Sequence, residues 1–419
     1  MRHALAPVSA LLIGVAILMT GSGLQTTLLP VRASLEQFST LSIGLMGAAY
    51  FTGFTLGCLK GGQLVKNVGH VRVFLAMTAL GSASPLLQGL LLDPVTWSLL
   101  RLLTGFCFAV LFVVIESWLN ERSDNENRGL VFSTYVMITL TLLAVGQMMT
   151  LLYSPQGLEL FLIASVLVSL AAVPVALTRS ATPEQPLEVD VQLRRLLRIS
   201  PSGVSGCLAT GLTNGAFWSL GPIFATAQSG DTSLAAWFMT AAVIGGALAQ
   251  WPLGYLSDRI GRRESMALGS ALGAAVAVLI VLFAGWLGPV GISLLGAAWG
   301  ACALTMYAIA VAHTNDYAEP RDYVMVSSGL LLVYGVGAIA GPFLASAVMT
   351  SVGYKGLYLL TGVVHLGLTG YVLQRIFRRE AVPAEQHIAF ADALTSAHTA
   401  SHVYEEEIMH EAEEPRHSL

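Results

Sequence analysis

The chain has 419 residues, of which 55% are hydrophobic and only 11% charged, with a formal charge of −4. Soluble domains carry roughly 25% charged residues, so this composition excludes a cytosolic enzyme, a secreted disulfide scaffold and a disordered regulator. The charge is uneven: residues 380–419 hold nine acids and one Arg, which leaves a mildly basic, apolar body with an acidic tail.

A membrane-spanning helix needs roughly 20 mostly apolar residues. Twelve such runs follow one another, near 8–30, 41–61, 72–92, 95–119, 129–152, 158–178, 203–227, 234–256, 266–286, 289–312, 324–349 and 356–377. The first is longer than a leader's apolar region and has no Ala-x-Ala exit, so it is read as a helix. Cys58, Cys107, Cys207 and Cys302 fall inside these runs and read as buried thiols; no metal or cofactor is expected. The expected fold is all-α and integral to the membrane. It comprises a six-helix bundle over residues 1–178, a cytoplasmic linker over 179–202, a second six-helix bundle over 203–379, and a solvated, disordered tail over 380–419.

Lys and Arg set the orientation. If the N-terminus is inside, seventeen basic residues fall on the cytoplasmic side and only Arg32 and Lys355 on the other. Both termini are therefore expected in the cytoplasm. The halves superpose at an offset of about 192 residues, as expected of a parallel repeat. Gly62-Gln-Leu64 to Gly69 falls on Gly254-Tyr-Leu256 to Gly261, and Glu126-Asn-Arg128 falls near Glu319-Pro-Arg321.

Several polar groups sit inside the spans. Gln25 (span one), Gln147 (span five), and Asn214 and Trp218 (span seven) are candidates for lining a central cavity, or else form interhelical hydrogen bonds. Arg101, about two turns inside span four, is costly within a bilayer and needs an acceptor or a wet cavity. The other reading is that it snorkels outward or ties spans together. Glu116 closes the same span, 15 residues later. It stands near the loop with Lys66 and Arg72, and serves there as a charged gate partner or as a helix-end Glu held by solvent and an Arg. His365 in span twelve is a proton shuttle or, more commonly for a lone His, hydrogen-bonded to a neighbour.

Gly254-Tyr-Leu-Ser-Asp258-Arg259-Ile-Gly261-Arg262-Arg263 resembles the loop signature G-x-L-x-D-R-x-G-R-R of the major facilitator superfamily. The Asp is suited to the positive end of a neighbouring helix, and the Arg cluster to anionic headgroups. The first copy carries Lys66, Asn67 and His70 where the signature has Asp and Arg. Arg101-Leu-Leu-Thr-Gly105 resembles the family's R-x-x-x-G motif, and Gly337-Ala-Ile-Ala-Gly341-Pro342 its G-x-x-x-G-P motif, here in span eleven rather than span five. Glu116-Ser-Trp-Leu-Asn120 with Asn127-Arg128-Gly129 is similar to the YcaD-like branch of bacterial facilitators.

The resemblance implies a secondary transporter whose halves rock about a central site. Arg101 would serve coupling or an anionic group, and Gly254, Asp258, Arg259, Gly261, Arg262, Arg263 and Glu116 the gate. The expected partners are a small-molecule substrate, protons and the lipid bilayer, with no nucleic acid, for a monomer that is not an enzyme. Direction stays open, with a lean toward efflux. The alternative is a transporter-fold protein that does not transport and acts as a sensor or binding protein through its tail.

Overall fold

The computed structural model describes residues 8–123, 127–177, 192–319 and 322–378. The acidic tail, most of the linker, and the Glu126 and Arg321 of the second repeat match lie outside these residues. The first half contains α1 (Ser9–Leu35), α2 (Thr40–Val68), α3 (His70–Leu90), α4 (Pro94–Glu121), α5 (Arg128–Met148, extended by a 3-10 turn), α6 (Glu159–Leu170) and α7 (Ala172–Ala176). A short helix, α8 (Leu193–Ile199), stands in the expected linker. The second half contains α9 (Pro201–Ser229), α10 (Ser233–Ile260), α11 (Arg262–Phe283), α12 (Pro289–Ala303), α13 (Met306–Asn315), α14 (Tyr323–Val352) and α15 (Gly356–Arg378).

Among the described residues, eleven helical segments are long and apolar enough to cross a membrane, with α6–α7 and α12–α13 each counted as one. The expected seventh span, α9, is as long but too polar to count among them. Its Ser202, Thr210, Thr213, Asn214 and Ser219 are all buried in protein. Small and polar side chains are tolerated where neighbouring helices, not lipid, surround a span.

Two spans expected as single helices are interrupted. Pro174 has no N–H to bond back to Leu170, and the helix breaks at Ala171. Between α12 and α13 the Thr305 hydroxyl donates to the Ala301 and Cys302 carbonyls, the kind of back-bonding that bends helices. Helix starts follow their caps. The Asp93 carboxylate accepts from the Thr96 N–H at 2.7 Å ahead of Pro94, and those hydrogen bonds hold its carboxyl below the usual range. Ser200 caps α9 through the Gly203 N–H at 3.1 Å, again ahead of a proline.

The repeat extends to backbone detail. Gly69 ends α2 with φ 96°, ψ 150°, and Gly261 ends α10 with φ 102°, ψ 150°. These angles leave little room for any side chain, so the same turn is built twice, with glycine at each.

Buried apolar residues form three cores. One lies at the end of the bundle that carries the Gly230 and Gly353 turns. It joins both halves, with Leu28, Trp97 and Phe161 continuous with Phe217, Phe238, Trp299 and Tyr358. At the opposite end, with Gly69 and Gly261, the halves have separate cores. One is built around Phe74, Phe108, Phe132 and Tyr135, the other around Met266, Ile309, Val326 and Leu330.

Candidate functional site

The contacts between halves repeat this asymmetry. Near the Gly230 end, Gly44 and Gly47 of α2 lie so close to α14 and α9 that a Cβ on either would run into Ser346 or Ser219. Thr240 of α10 donates to Gln147 Oε1 at 3.3 Å and to the Ala144 carbonyl at 3.4 Å, both on α5. Residues 7 or 11 apart return to nearly the same helix face. Followed toward the Gly261 end, the stripe from Ala144 therefore reaches Met137, which is 65% exposed, and the stripe from Thr240 reaches Trp251, 77% exposed. The same two faces are in contact at one end and uncovered at the other.

Between the ends, polar and aromatic groups from five helices lie near one another. Gly105 lets α4 approach α2 so closely that a Cβ would strike the Tyr50 carbonyl. One turn earlier, the Arg101 guanidinium lies 4.1 Å from the centre of the Tyr50 ring. The two motif residues therefore act together: the glycine makes the crossing and the arginine uses it. Tyr334 of α14 is within electrostatic reach of Tyr50 and lies beside the Asn214 side chain of α9. Its ring centre is 5.1 Å from that of Tyr307 on α13. Tyr50, Arg101, Tyr307 and Tyr334 are deep in the molecule yet partly accessible, as the walls of an internal cavity are.

Glu116 differs from the expectation. Lys66 and Arg72 are exposed, and Glu116 pairs with neither. It accepts from the Tyr135 hydroxyl of α5 at 3.4 Å and lies within electrostatic reach of Cys58 on α2 and Tyr307 on α13. The helical turn at 116 points it toward Tyr135 on α5 rather than at the loop. It lies about 22 Å along α4 from Arg101 at 1.5 Å per residue.

The loop at 254–263 also differs. Arg262, 3% exposed, reaches Asp258 Oδ1 at 2.6 Å, Ser257 Oγ at 2.6 Å and Asp316 Oδ2 at 3.2 Å. Arg263 donates to the Tyr317 hydroxyl and lies over its ring. Neither arginine faces headgroups; both clamp the end of span ten to the start of span nine. Arg259 alone of the three is exposed, 4.4 Å from the Tyr255 ring centre, and Tyr255 stacks on Trp251. Gly254 is buried, and Gly261 makes the turn that allows the chain to return.

Of the cavity candidates, only Asn214 joins the central group; Trp218 is one turn along on the same face and partly exposed. Gln147 seals the seam against Thr240. Gln25 shares the face of Gly21, which packs on α6, so it lies inside the first bundle with both amide atoms unpartnered. His365 has no hydrogen bond on either nitrogen and instead packs against Trp299 and Gly273. Gly337 and Gly341 let α14 pack closely on α9, with Pro342 turned toward α2. Tyr50, Tyr135, Tyr307 and Tyr334 were not anticipated. A lone tyrosine in an apolar run has no spacing that separates cavity wall from core.

The family profile described as Major Facilitator Superfamily matches residues 11–201 and 203–404. The chain is 28% identical over 363 residues to an uncharacterized MFS-type transporter of Enterobacter sp. (strain 638), spanning 85% of this chain and 93% of that one. It is 26% identical over 360 residues to the uncharacterized MFS-type transporter YcaD of Escherichia coli O17:K52:H18, with the same two coverages. Among solved structures it is similar in fold to the nucleoside transporter NupG, with a TM-score of 0.72 at 13% identity over 89% of this chain and 100% of that one. A bacterial homolog of the human lysosomal transporter Spinster gives 0.70 at 15% over 91% and 98%. The profile covers both repeats, and the fold it describes is the one these helices build. The chain belongs to the Major Facilitator Superfamily: it is a multi-pass membrane transporter, not an enzyme.

Proposed function

We propose that the protein moves a small solute across the bacterial inner membrane by alternating access, with the Gly261 end in the cytoplasm and the solute bound between the halves. The observation that carries this reading is the pattern of cores: one shared core at the Gly230 end, two separate cores at the Gly261 end. A body joined at one end and divided at the other presents its interior to one side. The basic residues put that side in the cytoplasm. Arg101 over Tyr50, with Asn214 beside Tyr334, supplies a charged and a neutral anchor from opposite halves. A solute touching both favours their approach and so biases which end is closed. The clamped turn at 254–263 keeps spans eight, nine and ten moving as one body.

The test is thermal unfolding of the purified protein against a library of sugars, metabolites, organic ions and drugs. A ligand present at 100 times its dissociation constant stabilises the fold by about 2.7 kcal/mol. The expected hit loses at least tenfold in affinity in both Arg101→Ala and Asn214→Ala. A hit insensitive to both variants places the solute elsewhere, and a library without a hit counts against the transporter reading of this cavity.

A further inference from the structure

Glu116 is a carboxylate inside the bundle for which the gate gives no role. Among the described residues, Glu36 is paired with Arg32, Asp322 with Arg195, and Asp258 and Asp316 with Arg262. Glu264 stands partly exposed in the first turn of α11, and Asp93 caps α4. Glu116 has no cation and a single 3.4 Å hydrogen bond, from Tyr135. One turn before it on the same face is Phe112, whose ring centre is 6.1 Å from that of Phe54. One turn after Phe54 comes Cys58, within electrostatic reach of the carboxylate. The carboxylate is partly exposed, as are Phe54 and Phe112.

An uncompensated carboxylate at membrane depth either holds a proton or meets a cation. Aromatic faces and a tyrosine hydroxyl around it favour an organic cation over a strongly hydrated metal ion. We propose that Glu116, Phe54, Phe112 and Tyr135 form a binding site for the positively charged group of an amine-bearing or quaternary solute. On binding, the cation displaces the proton from the Glu116 carboxyl to water at the Gly261 end; one positive charge replaces another and the site stays neutral. The titratable and charged groups facing Glu116 are Tyr135 on α5, Cys58 on α2 and Tyr307 on α13. His70 on α3 lies on the far side of α4, against Trp118.

The inference rests on the transporter reading for its purpose, but it is tested by binding alone. The protein in lipid nanodiscs is titrated with tetraphenylphosphonium, benzyltrimethylammonium and tetraphenylborate, with empty discs as blanks. At least one of the two cations is expected to bind, weaken more than tenfold in Glu116→Gln, and survive in Glu116→Asp. Its binding to wild type releases a proton in weakly buffered solution, and binding to Glu116→Gln releases none. Tetraphenylborate, of the same shape as tetraphenylphosphonium but opposite charge, is expected to be indifferent to all three proteins. Thermal unfolding confirms that Glu116→Gln is folded. Absence of binding by both cations, or equal affinity in wild type and Glu116→Gln, overturns the site. A neutral solute that Glu116→Gln still carries into proteoliposomes also overturns it, while leaving the transporter reading intact.

Discussion

The turns at Gly69 and Gly261 are the same piece of backbone set in different chemistry. Both glycines hold φ near 100° and ψ 150°, both end the second helix of their half, and both start the third without a break. The residue that follows differs. Arg262 is buried against two carboxylates and a hydroxyl, so the second turn is an electrostatic clamp on the end of span ten. His70 is equally buried, but its neighbour is the Trp118 ring at 6.3 Å, and its Nε2 has no partner. In the first half, therefore, the fourth span is held to this turn by packing. The comparison separates two jobs that a motif blends: glycine makes the turn, and its neighbour decides how tightly the following spans are tied to it.

The largest expected effect is at the clamp. Arg262→Ala removes the buried cation that reaches Asp316, and breaking a buried pair costs about 3–5 kcal/mol. Thermal unfolding of the purified protein should show the loss. A change below about 1 kcal/mol, the range of an exposed ion pair, would mean that the second turn is no more tied than the first. Next come the glycines. Alanine in this positive-φ, extended-ψ conformation, which is essentially reserved for glycine, costs roughly 1–3 kcal/mol. Gly261→Ala meets only the movable end of the Glu264 side chain and Gly69→Ala meets nothing, so the two losses should be equal. A much larger loss at Gly261 would show that the clamp, not the turn, sets the conformation there.

The smallest effect is at the join before the fourth span of each half, where Asp93 precedes Pro94 and Gly288 precedes Pro289. Asp93 is hydrogen-bonded by Thr96 and has its carboxyl pKa depressed; Gly288 has no side chain to titrate. A depressed carboxyl adds stability above its unfolded pKa, about 4, and loses it as pH falls through the lower folded value. Between about pH 4 and pH 2 the unfolding temperature of wild type should therefore drop more steeply than that of Asp93→Ala. Parallel curves would place the acid sensitivity outside this cap.

Much of this molecule was legible in its residues, because a bilayer enforces its rules locally. Span length, the sidedness of Lys and Arg, the capping pair Asp93-Pro94 and the glycine turns all depend on residues within a few positions of one another. The repeat could be read from spacing alone, and the turn angles at Gly69 and Gly261 carry it down to the backbone. The R-x-x-x-G motif pointed to Arg101, though not to the Tyr50 ring beneath it.

Tertiary packing decided the direction of each polar side chain. Glu116 reads as a helix-end acid beside a basic loop, but the group that reaches it is the Tyr135 hydroxyl of another helix, and the rotation of α4 points it there. Gln25 and Asn214 look alike in an apolar run, yet one turns toward the packed interior of its bundle and the other toward Tyr334 in the central group. Arg262 and Arg263 satisfy the sequence rule for headgroup contacts but are drawn inward by Asp316 and Tyr317, 54 residues on. The sequence alone determined how many times the chain crosses and where it turns, since those depend on length, charge and glycine. Which face of each helix meets the seam, and so which residues form the site, only the packed structure determined, because that depends on contacts between helices far apart in the chain.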